Sequence, residues 1–249
     1  MHPYINEQFN GYIWRMEIDE LSDTIFVEIR NNEEKKVCFS SINLGSGKVN
    51  FKDLSTPERW LTGIEAAYAG VLLLYNYQSE TSPAHKGLIA IDAVTGKILW
   101  TNYNYALDHL SVYGPVIFDT RIQPLKLFVA NIKTGATIRP CKPSDHKDLE
   151  NNILLPDRIL PSLLPFSLPL PPIENIVHHL KFNNFIIVSL HTLMDKKLTQ
   201  LLYIMDGVSQ VFKDILNTDI QKIQPEAFIM HNNRLVYIKN KTELKVLSL

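Results

Sequence analysis

The sequence predicts an all-β protein built from repeated small antiparallel sheets. Short apolar runs rich in Val, Ile, Phe and Tyr recur along the chain with polar breaks between them, as in Thr24 to Arg30 followed by Asn31-Asn32-Glu33-Glu34. Runs of about five to eight residues bounded this way read as strands of an antiparallel sheet. Helical periodicity over a dozen or so residues is scarce. The clearest candidate is Ser144 to Leu155, which a Ser cap opens and Pro156 closes. A strand–turn–strand unit also repeats, the usual sign of a modular architecture.

Taken in order, Trp14 to Ile18, Thr24 to Arg30 and Val37 to Ile42 form a first group of strands. Gly70 to Tyr77 and Gly87 to Ile91 belong to a second, and Val112 to Phe118 and Leu125 to Ala130 to a third. Phe185 to Leu190 and Leu201 to Met205 belong to a fourth. Phe228 to Met230, Leu235 to Ile238 and Leu244 to Leu249 make a short fifth.

The fullest copy of the repeat is Gly87 to Trp100: a strand, Asp92, two residues, Thr95-Gly96-Lys97, then a strand ending in Trp. Asn43 to Gly47 and Asn131 to Gly135 match it, and Asp206 to Phe212 matches with Gln210 in the glycine place. The chemistry is local. An Asp or Asn side chain accepts from backbone N–H groups two and three residues on, closing the turn. The glycine adopts positive φ without steric cost, so the next strand leaves antiparallel. Asn43, Gly47, Asp92, Gly96, Asn131, Gly135 and Asp206 are therefore expected to lock turns rather than to act on a substrate.

These residues carry a resemblance. Gly87 to Trp100 resembles the blade signature of the quinoprotein-type, pyrroloquinoline-quinone-like (PQQ-like) β-propeller repeat family, with looser copies around Asn43, Asn131 and Asp206. The chain also resembles uncharacterised bacterial proteins of that class, for which no function is known. The resemblance implies a small β-propeller of four-stranded blades of roughly 40 residues each. Five blades fit: about 11–51, 59–102, 107–139, 175–215 and 225–249, the last completed by residues 1–9. One propeller domain over 1–249 is the expected organisation. A sheet must hide its edge strands, so an N-terminal strand around Tyr4-Ile5 is expected to close the ring. Quinone chemistry is not implied, because the adjacent-cysteine pair of the alcohol-oxidising members is missing.

A proline-rich apolar insertion interrupts the repeats at 140–173. It holds eight of the 14 prolines. Within Ile153 to Ile173, eleven of 21 residues are apolar non-prolines and only Asp157 and Arg158 are charged. Such proline density forbids interior strands and long helices, and such apolar content does not behave as a solvated linker. It is expected to pack as a lid, burying Leu160, Leu163, Leu164 and Phe166, or else to meet a partner protein.

Composition bounds function. With 25 Lys+Arg against 26 Asp+Glu, the chain lacks the basic surplus of a nucleic-acid binder. No run approaches the roughly 18 apolar residues of a membrane span. The first residues show neither a basic stretch nor an apolar one, so no leader peptide is read there and a cytoplasmic location is expected. Two cysteines, Cys38 and Cys141, lack metal-ligand spacing.

None of the eight histidines (2, 85, 109, 146, 178, 179, 191, 231) falls in a metal-binding motif. His178 and His179, being adjacent, would point to opposite faces of a strand. Gly45-Ser46-Gly47-Lys48 lacks the following helix that a phosphate loop needs. No cofactor is expected. The long connections 77–86, 140–173, 191–200 and 217–224 would share one face of a propeller, and loops on a rigid scaffold carry function. Trp60, His85, Phe166 and His191 are the candidate binding-face residues. The expected role is a non-enzymatic scaffold for a protein or small ligand, the alternative a hydrolase or lyase with a polar site at a channel mouth.

Overall fold

The computed structural model describes residues 1–79, 81–225 and 227–249. It is all-β: five antiparallel sheets of four or five strands, each a propeller blade in form. The chain divides into two compact units, Asn10–Asn151 (unit one) and Met1–Phe9 with Asn152–Leu249 (unit two).

After β1 (Ile5–Gln8), unit one holds three four-stranded meanders. The first is β2 (Tyr12–Asp19), β3 (Thr24–Asn31), β4 (Lys36–Asn43) and β5 (Val49–Leu54). The second is β6 (Thr62–Tyr68), β7 (Val71–Ser79), β8 (Ser82–Asp92) and β9 (Ile98–Asn102). The third is β10 (Tyr105–Ser111), β11 (Gly114–Asp119), β12 (Leu127–Ala130) and β13 (Thr137–Pro140). In each sheet the second and third strands are the greasiest and lie in the middle. Phe26, Val37, Phe39, Ile64, Leu72 and Leu74 form one core between the first two sheets. Leu88, Ile117 and Ala130 form another against the third.

Unit two follows β14 (Ile153–Leu154) and β15 (Asp157–Ile159) with β16 (Val177–Phe182), β17 (Phe185–Met194), β18 (Lys197–Asp206) and β19 (Ser209–Asn217). Its other sheet contains β20 (Ile229–His231), β21 (Arg234–Lys239) and β22 (Glu243–Ser248). β1 pairs antiparallel with β22, Ile5 opposite Val246, so the chain's first strand completes its last sheet. Ile5 and Phe9 are buried there. Between the two sheets, Asp214 on β19 accepts from the Tyr237 hydroxyl at 2.8 Å and from Lys239 Nζ at 2.6 Å.

Three expectations need correction. No helix covers 144–155; only a short 3-10 turn, Pro143–His146, forms. Asp145 decides this: its carboxylate takes the Arg139 guanidinium and the Lys142 N–H, an anchor that holds one turn and directs the following chain away. Second, the blades of unit two exceed four strands, because the insertion adds an edge strand to each, as its prolines bar only interior ones. β14 and β15 precede its densest prolines and add to β20 and β16, so the sheets of unit two have five strands, not four. Third, burial within the insertion is divided. Leu164 is buried, and Phe166, Leu168 and Leu170 pack with it on Val188, Leu190 and Tyr203. Leu160 and Leu163 stay 49 % and 68 % exposed. Leu160 opens and Leu163 ends the 3-10 turn Pro161–Leu163, none of whose residues is buried, and Leu164 follows it into the cluster.

Asn43, Asp92 and Asn131 stand in one geometry. Asp92 Oδ1 accepts from the N–H groups of Val94 and Thr95 at 3.2 and 2.8 Å and from the Thr95 hydroxyl at 2.8 Å. Asn43 takes the Ser46 N–H and hydroxyl, and Asn131 the N–H groups of Lys133 and Thr134. Gly47, Gly96 and Gly135 follow at φ 71°, 69° and 70°, each donating to the carbonyl of its Asn or Asp. Asp206 differs. It faces Ser209 across a two-residue hairpin. Gln210 does not supply the left-handed residue, and Gly207 at φ 59° turns the chain earlier.

Candidate functional site

A recurrent irregularity builds the candidate site. The first strand of every sheet in unit one bulges against its second. Ile13 faces Ile29 and Arg15 faces Glu28, leaving Trp14 extra. Ile64 faces Leu74 and Ala66 faces Leu73, leaving Glu65 extra. Leu107 faces Ile117 and His109 faces Val116, leaving Asp108 extra. A bulge releases one residue from the ladder and re-aims its side chain, and such features cluster near functional sites.

Trp14 is 68 % exposed and Tyr12, two residues before it, 51 %. The Arg30 guanidinium lies 5.5 Å from the Trp14 ring centre and 5.2 Å from that of Trp60, with Lys35 Nζ 4.9 Å over Trp60. Arg30 is buried and needs acceptors. It donates from Nε to Glu28 Oε1 at 2.7 Å and from Nη2 to the Thr62 carbonyl at 3.0 Å. The other oxygen of buried Glu28 takes the Ile64 N–H at 2.9 Å. The cation is thus held between two indoles by a satisfied network.

Arg15 donates to the carbonyls of Ile64 and Glu65 at 2.8 and 3.2 Å, and to Glu17 at 3.1 Å. Burial raises the Glu17 pKa, against the lowering pull of Arg15. The Glu65 carboxylate takes the Nδ1–H of His85 at 2.8 Å. The imidazole stacks on Tyr75, ring centres 3.5 Å apart and planes 5° off parallel. Tyr75 donates its hydroxyl to Tyr77 at 2.8 Å, and burial and that bond push its pKa well up. Gly63 makes room for it: a Cβ there would lie 2.6 Å from the Tyr75 hydroxyl.

The third bulge repeats the acid–imidazole pair. Asp108 takes the Nδ1–H of His109 at 2.7 Å, while His109 Nε2 donates to the Asp145 carbonyl at 2.9 Å. Burial lowers the His109 pKa, but these two bonds outweigh it and the net shift is upward. Both nitrogens of His109 thus face acceptors, an arrangement that favours the doubly protonated ring. His85 Nε2, by contrast, makes no hydrogen bond among the described residues, the position from which an imidazole exchanges a proton with a substrate.

Trp60 and His85 lie in the same unit: Trp60 just before β6, and His85 not in a loop but on β8, opposite Tyr77 of β7. Phe166 and His191 lie in unit two; the stretch 191–200, expected as a long connection, is instead the β17–β18 hairpin, and His191 stands on β17 opposite Gln200. Phe166 is half-buried in the apolar cluster under the insertion. His191 is buried and accepts the Gln224 N–H at Nε2, 3.1 Å away. Its ring lies 6.5 Å from that of His178. Burial, then the neighbouring imidazole, pulls the His191 pKa down to about 4. Burial, then Arg158, lowers that of His178. His178 and His179 do fall on opposite faces of β16. No group of three or more metal-ligating side chains occurs among the described residues. No helix among them is long and apolar enough to cross a membrane.

Sequence reasoning missed the bulges and hence Trp14, Glu65 and Asp108. Register decides which residue a strand extrudes, and no residue type marks it. The available signal was a polar residue breaking the apolar alternation at Glu65 and Asp108.

Residues 18–100 match the family model Domain of unknown function (DUF4905). No curated protein matches the chain. Among solved structures, the chain is similar to BamB from Moraxella catarrhalis, at 9 % identity over 94 % of this chain and 84 % of that one, with a TM-score of 0.35. It is also similar to the β-propeller domain of the Trilobed protease from Pyrococcus furiosus, at 9 % identity over 94 % of this chain and 64 % of the other, with a TM-score of 0.34. The chain spans less than two thirds of that second structure.

Proposed function

We propose that the chain is a non-enzymatic propeller module of the PQQ-like repeat type that binds a partner through the bulged first strands of unit one. The observation that carries this reading is Trp14, extruded from the ladder and left in water with a guanidinium packed beneath it. Leaving an indole exposed forgoes roughly 2–3 kcal/mol of burial. A partner that covers it recovers that amount, and tryptophan is among the side chains that dominate binding energies. Tyr12 widens the contact, and Arg15 and Glu17 give it a charged border.

The His85–Glu65 pair supports a second reading, a hydrolase or lyase with His85 as base. A panel of chromogenic esters, phosphate esters and glycosides, assayed with the wild type and His85→Ala, separates the two. The binding reading expects no turnover that His85→Ala removes. Turnover that vanishes in His85→Ala overturns it.

A further inference from the structure

We propose that the open edge of β2 docks an extended segment of a partner protein, which adds to it as an antiparallel strand and packs on Trp14. This deepens the binding reading above and rests on it.

The protein itself shows how its first strands are completed. In unit one, Asp148 bridges antiparallel to Ser111 at the free edge of β10. The Val112 N–H donates to the Lys147 carbonyl at 3.3 Å and the Leu149 N–H to the Leu110 carbonyl at 3.2 Å. In unit two, Ile153 and Leu154 pair with β20, and Asp157 to Ile159 with β16. One stretch, 147–159, thus adds short antiparallel pieces to three of the five first strands. The fourth, β6, is closed by a side chain: Arg15 occupies its Ile64 and Glu65 carbonyls.

β2 is the exception. It ends its sheet, and among the described residues its only backbone partner is β3. It is eight residues long and presents Tyr12, Trp14 and Arg15 to solvent. Unpaired strand edges are templates for another chain. Strand addition draws affinity from main-chain hydrogen bonds and selectivity from alternate side chains. The occupant is an extended peptide rather than a helix or a small molecule, because that is what occupies the matching edges. Its side chain opposite the bulge is apolar, since the Trp14 indole is mostly exposed and Arg30 already supplies a cation beside the ring. Glu17 and Arg15, hydrogen-bonded to each other, leave no net charge there to select by sign.

The test uses the full chain and a phage-displayed library of random dodecapeptides, with recovered sequences synthesised as probes. The expected result is slowed amide hydrogen exchange over Tyr12 to Ile18 on binding. Trp14→Ala, which keeps the fold because the ring is exposed, should weaken binding about tenfold or more. Methylating alternate peptide nitrogens in one register should abolish binding, and in the other register leave it. Peptides that bind but protect residues around Glu65 and Asp108 instead of β2 overturn strand addition while leaving the binding reading intact. Binding indifferent to backbone methylation also overturns it. A wild-type dimer by light scattering that Trp14→Ala converts to monomer overturns the partner in favour of a second copy. Turnover dependent on His85 counts against the binding reading itself.

Discussion

The Trp100 indole fills the space that a side chain at Gly135 would need: a Cβ there would lie 2.7 Å from the ring. The indole Nε1 donates to the carbonyl of Ile132 in the same turn at 2.7 Å. One sheet earlier Phe51 meets Gly96 with the hypothetical Cβ at 3.3 Å, and the Ser41 hydroxyl donates to the Ala93 carbonyl at 2.7 Å. The turns of the second and third sheets are thus receptors for an aromatic from the sheet before each. In unit two, the Asp214 contacts to Tyr237 and Lys239 join neighbouring sheets instead.

Gly135→Ala should cost more than its φ alone explains. A left-handed alanine costs about 1 kcal/mol, and the ring, held by its hydrogen bond, cannot withdraw freely. A total of about 2–3 kcal/mol is expected. Gly207→Ala is the control, since its φ is also positive and nothing lies within 4 Å of the added methyl. Urea unfolding of both variants checks it; equal losses would show that Trp100 yields.

Asp92→Ala should lower stability by about 1 kcal/mol, the net worth of a local hydrogen bond, and leave binding unchanged. Asp92→Asn should stay near wild type, since Asn43 and Asn131 fill the same place. The Thr95 N–H, foremost among its donors, holds the Asp92 pKa down. A depressed carboxylate stabilises the fold above its unfolded pKa and loses that contribution as pH falls through the folded one. The gap between wild type and Asp92→Ala should therefore narrow in acid, read from thermal melts across pH.

His191 gives the opposite residue type but the same slope. Its folded pKa of about 4 lies below the unfolded value of about 6.5. Between the two, the unfolded chain binds a proton that the folded chain does not, so stability falls as pH drops through that window. A loss of about 3 kcal/mol is expected from this residue. His191→Gln, whose side-chain oxygen can still accept from Gln224, should flatten the pH dependence of urea unfolding between roughly 6.5 and 4. An unchanged slope would place the sensitivity elsewhere.

Deleting residues 1–9 should expose the β22 edge and remove buried Ile5 and Phe9. At roughly 1.5–3 kcal/mol per buried side chain, about 4 kcal/mol of stability should go. Light scattering on warming should show earlier aggregation than wild type. An equally stable, monodisperse variant would mean that β1 is dispensable.

The sequence by itself determined the local units. Alternation and turn chemistry are short-range, so Thr24 to Arg30 as a strand and Asn43, Asp92 and Asn131 as turn acceptors are legible from a few neighbouring residues. Pairing of the N-terminal segment with the last sheet was also legible, because that sheet lacked a strand and residues around Ile5 were left over. Tertiary structure decided what depends on register and distance. Trp14, Glu65 and Asp108 leave the ladder only because a second strand pairs on either side of them, a relation no local pattern encodes. Asp145 cancels a helix through Arg139, and the insertion donates strands to sheets it does not adjoin in sequence. Trp60 and His85 looked alike as loop residues. Arg30 and Glu65 give them their settings, and those partners come from β3 and β6, outside the segments that carry either residue.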